Sequence, residues 1–274
     1  MYKRQEQDPA FIHAGPFANI AHGNSSIIAD RIALGVADYV VTEAGFGAEM
    51  GAEKMMHIKA TASGTAPDCV VMNVTVRSMK MHGGGFSTGG GKRPRPEEIA
   101  KEDVEAVRAG GATNMSRHIR NMARFGVPVI ASVNVFPTDT DAEIEALLDE
   151  AREAGATDAV ITRVHSNGGE GGADLARAVV SACQSHIAEG RPFEPLFGPN
   201  APLEEKILRI ATNVYGAASI DLAPKALNEL KTLQNWGYGN LAVCMAKTQY
   251  SFSHEMKELG APSGFTLPLS LIHI

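Results

Sequence analysis

Residues 69–76, Cys69-Val70-Val71-Met72-Asn73-Val74-Thr75-Val76, are apolar at nearly every position rather than at alternate ones. A strand with that pattern fits a sheet covered on both faces, which is the habit of parallel α/β sheets. Working outward, the same unit recurs: a short β-branched run, a Gly- or Asn-rich turn, then an amphipathic segment. Upstream, Asn24 to Ala37 reads as a helix capped by Asn24 or Ser25, with Ile27, Ile28, Ile32 and Val36 on one face. Tyr39-Val40-Val41-Thr42 reads as a strand and Gly47 to Ile58 as a second helix. Downstream come helices at 96–109 and 116–125, a strand at 127–133, a helix at 141–154, a strand at 158–164 and a helix at 172–189. Such alternation predicts parallel α/β architecture with right-handed crossovers.

The stretch from Arg191 to Pro202 breaks the pattern with four prolines and reads as a linker. Helices follow at 203–215 and 224–236, then a short strand, Ala242-Val243-Cys244-Met245. Cuts are expected near residues 118 and 200.

Hydrophobic residues make up 44% of the chain and charged residues 20%, enough apolar material for packed cores and no signature of disorder. The formal charge of -6 argues against a general polyanion binder, and Lys92-Arg93-Pro94-Arg95 is too small a basic patch to reverse that. Neither nucleic acid nor membrane is an expected partner. The three cysteines form no C-x-x-C pair, and Cys69 and Cys244, in apolar runs, read as buried thiols. With no long apolar span and no signal-peptide pattern, a reduced, cytoplasmic setting is expected.

In open parallel sheets, ligands bind beyond the carboxyl ends of the strands. Four candidate ends carry polar or glycine-rich segments: Thr42–Gly47, Arg77–Gly85, Asn134–Thr140 and His165–Gly172. Glycines there either let backbone N–H groups approach an anion or simply make tight turns, and four loops on one edge favour a ligand cleft. No Walker A loop is found: Lys92 follows Gly91, but Arg93 stands where Ser or Thr is needed and Phe86 where the first Gly belongs. No Rossmann glycine fingerprint or zinc spacing is present, so no protein-held metal is expected.

Six blocks resemble the formate–tetrahydrofolate ligase family: HAGPFANIAHG (13–23), ADYVVTEAGFGAEMGAEK (37–54), VTVRSMKMHGGG (74–85), FGVPVIASVNVFPTDT (125–140), GGEGG (168–172) and YGNLAVCMAKTQYS (238–251). They cover roughly Asp8 to Leu267 in order. The resemblance implies an ATP-dependent ligase making 10-formyltetrahydrofolate from formate and tetrahydrofolate through formyl phosphate. It also implies MgATP, a monovalent cation (K+ or NH4+) and a homotetramer. The implied fold is a P-loop NTPase-like parallel sheet followed by two smaller α/β domains: 1–118 partial nucleotide-binding, 119–200 folate-binding, 201–274 C-terminal and truncated. The family's Walker A lysine lies upstream of the first block, so an incomplete enzyme is expected. The alternative is a non-catalytic folate-binding or oligomerisation fragment. Residues 1–4 and 268–274 do not resemble the family and are left out of the expected fold.

By the same resemblance, His13, Asn19 and His22 offer donors to the nucleotide and formyl-phosphate cleft, and Gly15 allows close backbone approach. A structural hydrogen-bonding role stays open for either histidine. Ser63, Pro67 and Asp68 match an adenine-contacting turn. Glu43, at an expected strand end, could act through a Mg2+-bound water, or be a structural carboxylate or helix cap. The family holds a pterin ring between two aromatic side chains; the matching positions here are Phe136, followed by Pro137, and His165, where Trp is usual. Lys247, Thr248 and Gln249 match a family block without a physical assignment.

Overall fold

Three parallel strands, β1 (Val70–Val74), β2 (Val129–Asn134) and β3 (Asp158–Thr162), stand in the order β1-β2-β3 in the computed structural model. The described residues are 9–11, 22–86, 94–246, 248, 250–255 and 257–270. The chain divides into two compact units, one holding residues 1–12 and 67–193, the other 13–66 and 194–274. Pairing of β1 with β2 runs from Val70↔Val129 to Val74↔Val133 and so joins residues on either side of position 118.

In the first unit, β2 is buried from Val129 to Val133, so both of its faces are covered. The apolar run at 69–76 predicts the same for β1, yet Val71 is 42% exposed. Burial alternates along β1, with Met72 and Val74 buried and Val71 and Asn73 exposed, so one face of this strand is left uncovered. Strand β1 also stops at Val74, because Thr75 caps α3 (Val76–His82) by accepting the Ser78 N–H. The expected 96–109 helix is split. Pro96–Ala100 forms α4, and Asp103 then caps α5 (Val104–Gly110) by accepting the Ala106 N–H. A wider turn at Gly111–Met115 carries the chain into α6 (Ser116–Ala123).

Helix α3 crosses α5 backbone to backbone. A Cβ on Gly83 would sit 1.8 Å from the Ala106 carbonyl oxygen, and one on Gly110 1.9 Å from that of Met79. Gly83 is thus needed for a helix crossing, not for an anion-binding turn. Helix α7 (Asp141–Glu153) opens with a capping box in which Thr140 and Glu143 bond each other's backbone N–H. Strand β3 gives way at Val164 to the one-turn helix α8 (Val164–Asn167), and α9 (Ala173–Glu189) follows.

The second unit packs around Ile207, Ile210, Tyr215, Leu233, Phe252 and Leu267. Its helices are α1 (Ile27–Leu34), α2 (Ala60–Ser63), α10 (Leu203–Ile210) and α11 (Pro224–Asn235). Wider turns precede α2 at Ala48–Ala52 and Met55–Lys59. Ser26, not Asn24 or Ser25, caps α1, and the expected apolar face looks outward, with Ile28 72% and Val36 77% exposed. No strand forms at 39–42, where Val41 is 93% exposed; only Ala44 makes a bridge, to Asn24. Residues 242–245 are not a strand either, and Cys244 is exposed while Cys69 is half-buried, against the expectation of two buried thiols.

The two-stranded sheet here consists of β4 (Ser219–Leu222) and β5 (Thr266–Leu269), paired in parallel from Ser219↔Thr266 to Leu222↔Leu269. Pro268 and Leu269, left out of the expected fold, are therefore part of it. Proline is tolerated because each strand of a two-stranded sheet has a free edge. In the proline-rich stretch, Phe193 stacks on Phe125 in the first unit. In the second, buried Lys206 donates to the carbonyls of Pro199 and Leu241, at 2.8 and 3.0 Å.

His118 on α6 is buried, and that burial, reinforced by His82 and Arg117, pushes its pKa down to about 3. Above pH 6.5 the ring is neutral folded and unfolded. Below it the unfolded chain takes up a proton that the folded chain does not, so stability falls with pH. From this group alone the loss reaches roughly 2 kcal/mol by about pH 5. Urea titrations followed by far-UV circular dichroism should show that slope in the native chain and a flatter one in His118→Gln; equal slopes would refute the assignment.

Candidate functional site

Strands β2 and β3 end side by side, Asn134 in register with Thr162. Pairing continues one step further, where the Val135 N–H donates to the Thr162 carbonyl at 3.1 Å. Past that point both chains turn outward. Phe136 is 44% exposed, and Pro137 is exposed beside it. Two bonds close this turn: the Phe136 N–H donates to Asp139 Oδ2 at 2.9 Å and the Asp139 N–H to the Phe136 carbonyl at 3.0 Å. Burial raises the pKa of Asp139, an effect opposed by the Phe136 N–H and reinforced by Glu143.

On the neighbouring strand, His165 is exposed on α8. The glycine run at Gly168–Gly172 folds back so that the Arg163 N–H donates to the Gly171 carbonyl at 2.9 Å. A Cβ on Gly171 would lie 2.5 Å from the Arg163 carbonyl group, so only glycine fits. The sheet thus brings Phe136, Pro137 and His165 to one edge, flanked by the Asp139 carboxyl and a glycine loop. An exposed aromatic ring and an exposed imidazole at adjacent strand ends can offer flat surfaces to a planar ligand.

Beneath this edge lies a buried ion pair. Lys80 Nζ, at the end of α3, is 2.7 Å from Glu143 Oε1 and also donates to the carbonyls of Ile99 (2.9 Å) and Lys101 (2.8 Å). Glu143 accepts in addition from the Asp103 N–H at 2.8 Å and the Thr140 N–H at 3.2 Å. The charge stays buried because nearly every donor and acceptor has a partner.

Of the expected nucleotide-side residues, His22, Glu43, Ser63, Pro67 and Asp68 are described. His13, Gly15 and Asn19 lie outside the described residues. His22 is half-buried, and its Nδ1 accepts the Asn24 N–H at 3.1 Å, a structural bond. Glu43 is exposed and ends no strand, since 39–42 forms none. Ser63 closes α2, its hydroxyl bonded within the turn to Thr65, while Pro67 and Asp68 belong to the first unit.

One cluster escaped the sequence reading. Glu49, Glu53, Lys54, His57 and Lys59 are all buried in the second unit. His57 Nδ1 and Glu53 Oε1 are 2.7 Å apart, and the His57 ring stacks on Phe197 with centroids 4.5 Å apart. Lys54 donates to the Met245 carbonyl at 2.7 Å; burial lowers its pKa and the Glu53 charge opposes this. Lys59 reaches Ser25 Oγ at 2.8 Å and Asp30 at 2.5 Å. The signal lay in the spacing of Glu49, Glu53 and His57, a polar stripe four residues apart on a Met-rich helical segment.

A cavity of about 340 Å³ opens at the other end of the first unit's sheet, lined by Gly126, Val129, Thr157 and His186. It adjoins the strands' amino ends, where parallel sheets do not place their ligand sites, so the carboxyl edge remains the candidate.

The chain is a mixed α/β protein with a three-stranded parallel sheet, and the carboxyl edge of that sheet is the candidate site. A family model described as formate–tetrahydrofolate ligase matches residues 1–274. The chain is 48% identical over 264 residues to the formate–tetrahydrofolate ligase of Roseiflexus castenholzii, covering 96% of this chain and 46% of that protein. Against that of Paracoccus denitrificans it is 47% identical over 269 residues, covering 98% and 46%. Against the mouse mitochondrial monofunctional C1-tetrahydrofolate synthase it is 48% identical over 268 residues, covering 97% and 27%. The chain belongs to the formate–tetrahydrofolate ligase family, and spans less than half the length of these relatives.

Removing the cation beneath the edge should be costly. Lys80→Met leaves the Glu143 carboxylate buried without its counter-charge, a loss of about 3–5 kcal/mol. Urea denaturation followed by far-UV circular dichroism measures the loss. A cost below about 1 kcal/mol would show the pair to be solvated.

Proposed function

We propose that this chain carries the tetrahydrofolate side of an ATP-dependent ligation of formate to tetrahydrofolate. In that reaction formate takes the γ-phosphoryl group of ATP to give formyl phosphate. The N10 amine of tetrahydrofolate then attacks the formyl carbon, and inorganic phosphate leaves. Membership of the family supports the reaction class. The observation that carries the folate reading is the placement of Phe136 and His165 at adjacent ends of β2 and β3.

Phe136 supplies the larger of the two surfaces for the pterin ring, and Asp139 fixes the backbone that presents it. His165 supplies the second, with less area than the indole usual there. The glycine loop 168–172 keeps its backbone close to the same edge without bulk in the way. The fuller reading is of an enzyme using MgATP and a monovalent cation (K+ or NH4+), acting as a cytoplasmic homotetramer. Residues 1–118 then belong to a P-loop-type nucleotide part, 119–200 to the folate part and 201–274 to a C-terminal part. His13, Gly15, Asn19, His22, Glu43, Ser63, Pro67 and Asp68 are assigned to the nucleotide and formyl-phosphate side.

A second reading is that these residues bind folate or assemble without turning over. It is favoured by the lack of a G-x-x-x-x-G-K-[ST] loop anywhere in the 274 residues. Calorimetric titration with tetrahydrofolate, alongside an assay for 10-formyltetrahydrofolate with formate and MgATP, separates the two. Binding with turnover supports ligation, and binding without it the second reading. Phe136→Ala should weaken binding by about 1–3 kcal/mol, the scale of stacking a base on an aromatic side chain. Unchanged affinity in that variant would remove Phe136 from the site.

A further inference from the structure

The turn that carries Phe136 is closed by a carboxyl group of which only one oxygen is engaged. Asp139 Oδ2 accepts the Phe136 N–H at 2.9 Å, and Oδ1 has no hydrogen-bond partner among the described residues. Asp139 is half-buried, between the exposed turn and the capped start of α7. The nearby buried carboxylate is served quite differently. Glu143 has donors on both oxygens, Lys80 and the Asp103 N–H on Oε1 and the Thr140 N–H on Oε2.

A carboxylate offers roughly four acceptor positions, and one drawn out of water with most of them empty is short of donors. Burial accordingly raises the pKa of Asp139; the Phe136 N–H opposes this, Glu143 adds to it, and Lys80 and Arg163 oppose it. A donor brought by a ligand would fill the open position. The ring that the proposed function sets on Phe136 carries such a donor. A pterin presents its exocyclic 2-amino group at the end of the bicycle remote from the N10 that is formylated.

We propose that Asp139 is a specificity-determining residue of the folate site, its Oδ1 accepting a hydrogen bond from the pterin 2-amino group while Oδ2 keeps the Phe136 N–H. This rests on the folate reading of Phe136 and His165. One side chain then fixes the turn that presents the aromatic face and reads the edge of the ring laid on it. The other charged groups of this edge do not suit the role. Arg163 is a donor only, and Glu170 in the glycine loop is exposed, so water already satisfies its carboxylate and a ligand adds little.

The test is calorimetric titration of the full chain with tetrahydrofolate and with its 2-desamino analogue. The native chain should prefer tetrahydrofolate by on the order of ten- to hundredfold, the range of a hydrogen bond to a charged group. Asp139→Asn keeps an oxygen for the Phe136 N–H but turns an NH2 group toward the ligand, so it should bring that preference close to one. Phe136→Ala should weaken both ligands alike and leave the preference in place, which separates reading the ring edge from holding the turn. Should circular dichroism show Asp139→Asn to be unfolded, Asp139→Ser takes its place with the same expectation, since a serine hydroxyl also closes such turns. Equal affinities in the native chain, or an unchanged preference in a folded Asp139 variant, would overturn this role and leave the folate reading standing. No binding of tetrahydrofolate at all would overturn both.

Discussion

The ion pair between Lys80 and Glu143 is the constraint on which the first unit depends. Three segments converge on it: the end of α3 through Lys80, the α4–α5 connection through the carbonyls of Ile99 and Lys101 and the N–H of Asp103, and the start of α7 through Glu143. A buried ammonium and carboxylate tolerate few arrangements, because any lost partner leaves an uncompensated charge in a low-dielectric interior. The pair therefore specifies where α7 begins. That in turn sets the turn before it, closed by Asp139 and carrying Phe136.

The consequence for function is a matter of support. Phe136 and His165 stand on turns rather than within strands, and turns are ordinarily the variable part of a fold. Here each is held from below. The Phe136 turn is tied by two backbone bonds involving Asp139, and the His165 turn by the return of Gly171 onto Arg163. Exposed side chains on a braced backbone present a surface whose geometry a planar ligand need not reorganise.

Much of the first unit was legible in the sequence. The apolar runs at 127–133 and 158–164 and the amphipathic pattern of 141–154 correspond to β2, β3 and α7 within a residue or two. There local pattern and burial agree. The reading failed where they diverge. Residues 39–42 have strand composition but no pairing partner among the described residues, and β-branched content cannot supply one. Ser219–Leu222 is short and half-polar and becomes β4 only because Thr266–Leu269 lies beside it. Gly83 read as a turn glycine although its role, clearance for α5, depends on a helix distant in sequence. The charged stripe from Glu49 to Lys59 would ordinarily be a solvated face; its burial is visible only with Phe197, Tyr215 and Met245 in place.

What the sequence by itself determined was the α/β class with its parallel sheet, the family, and the residues at the ends of β2 and β3 that carry candidate chemistry. Each depends on local pattern or on long blocks of unusual composition. Only the tertiary structure decided that Lys80 meets Glu143, that Val71 is exposed on an edge strand, and which glycines are spacers. These are contacts between residues far apart along the chain. Their existence depends on packing and shared burial, which no periodicity in one segment encodes.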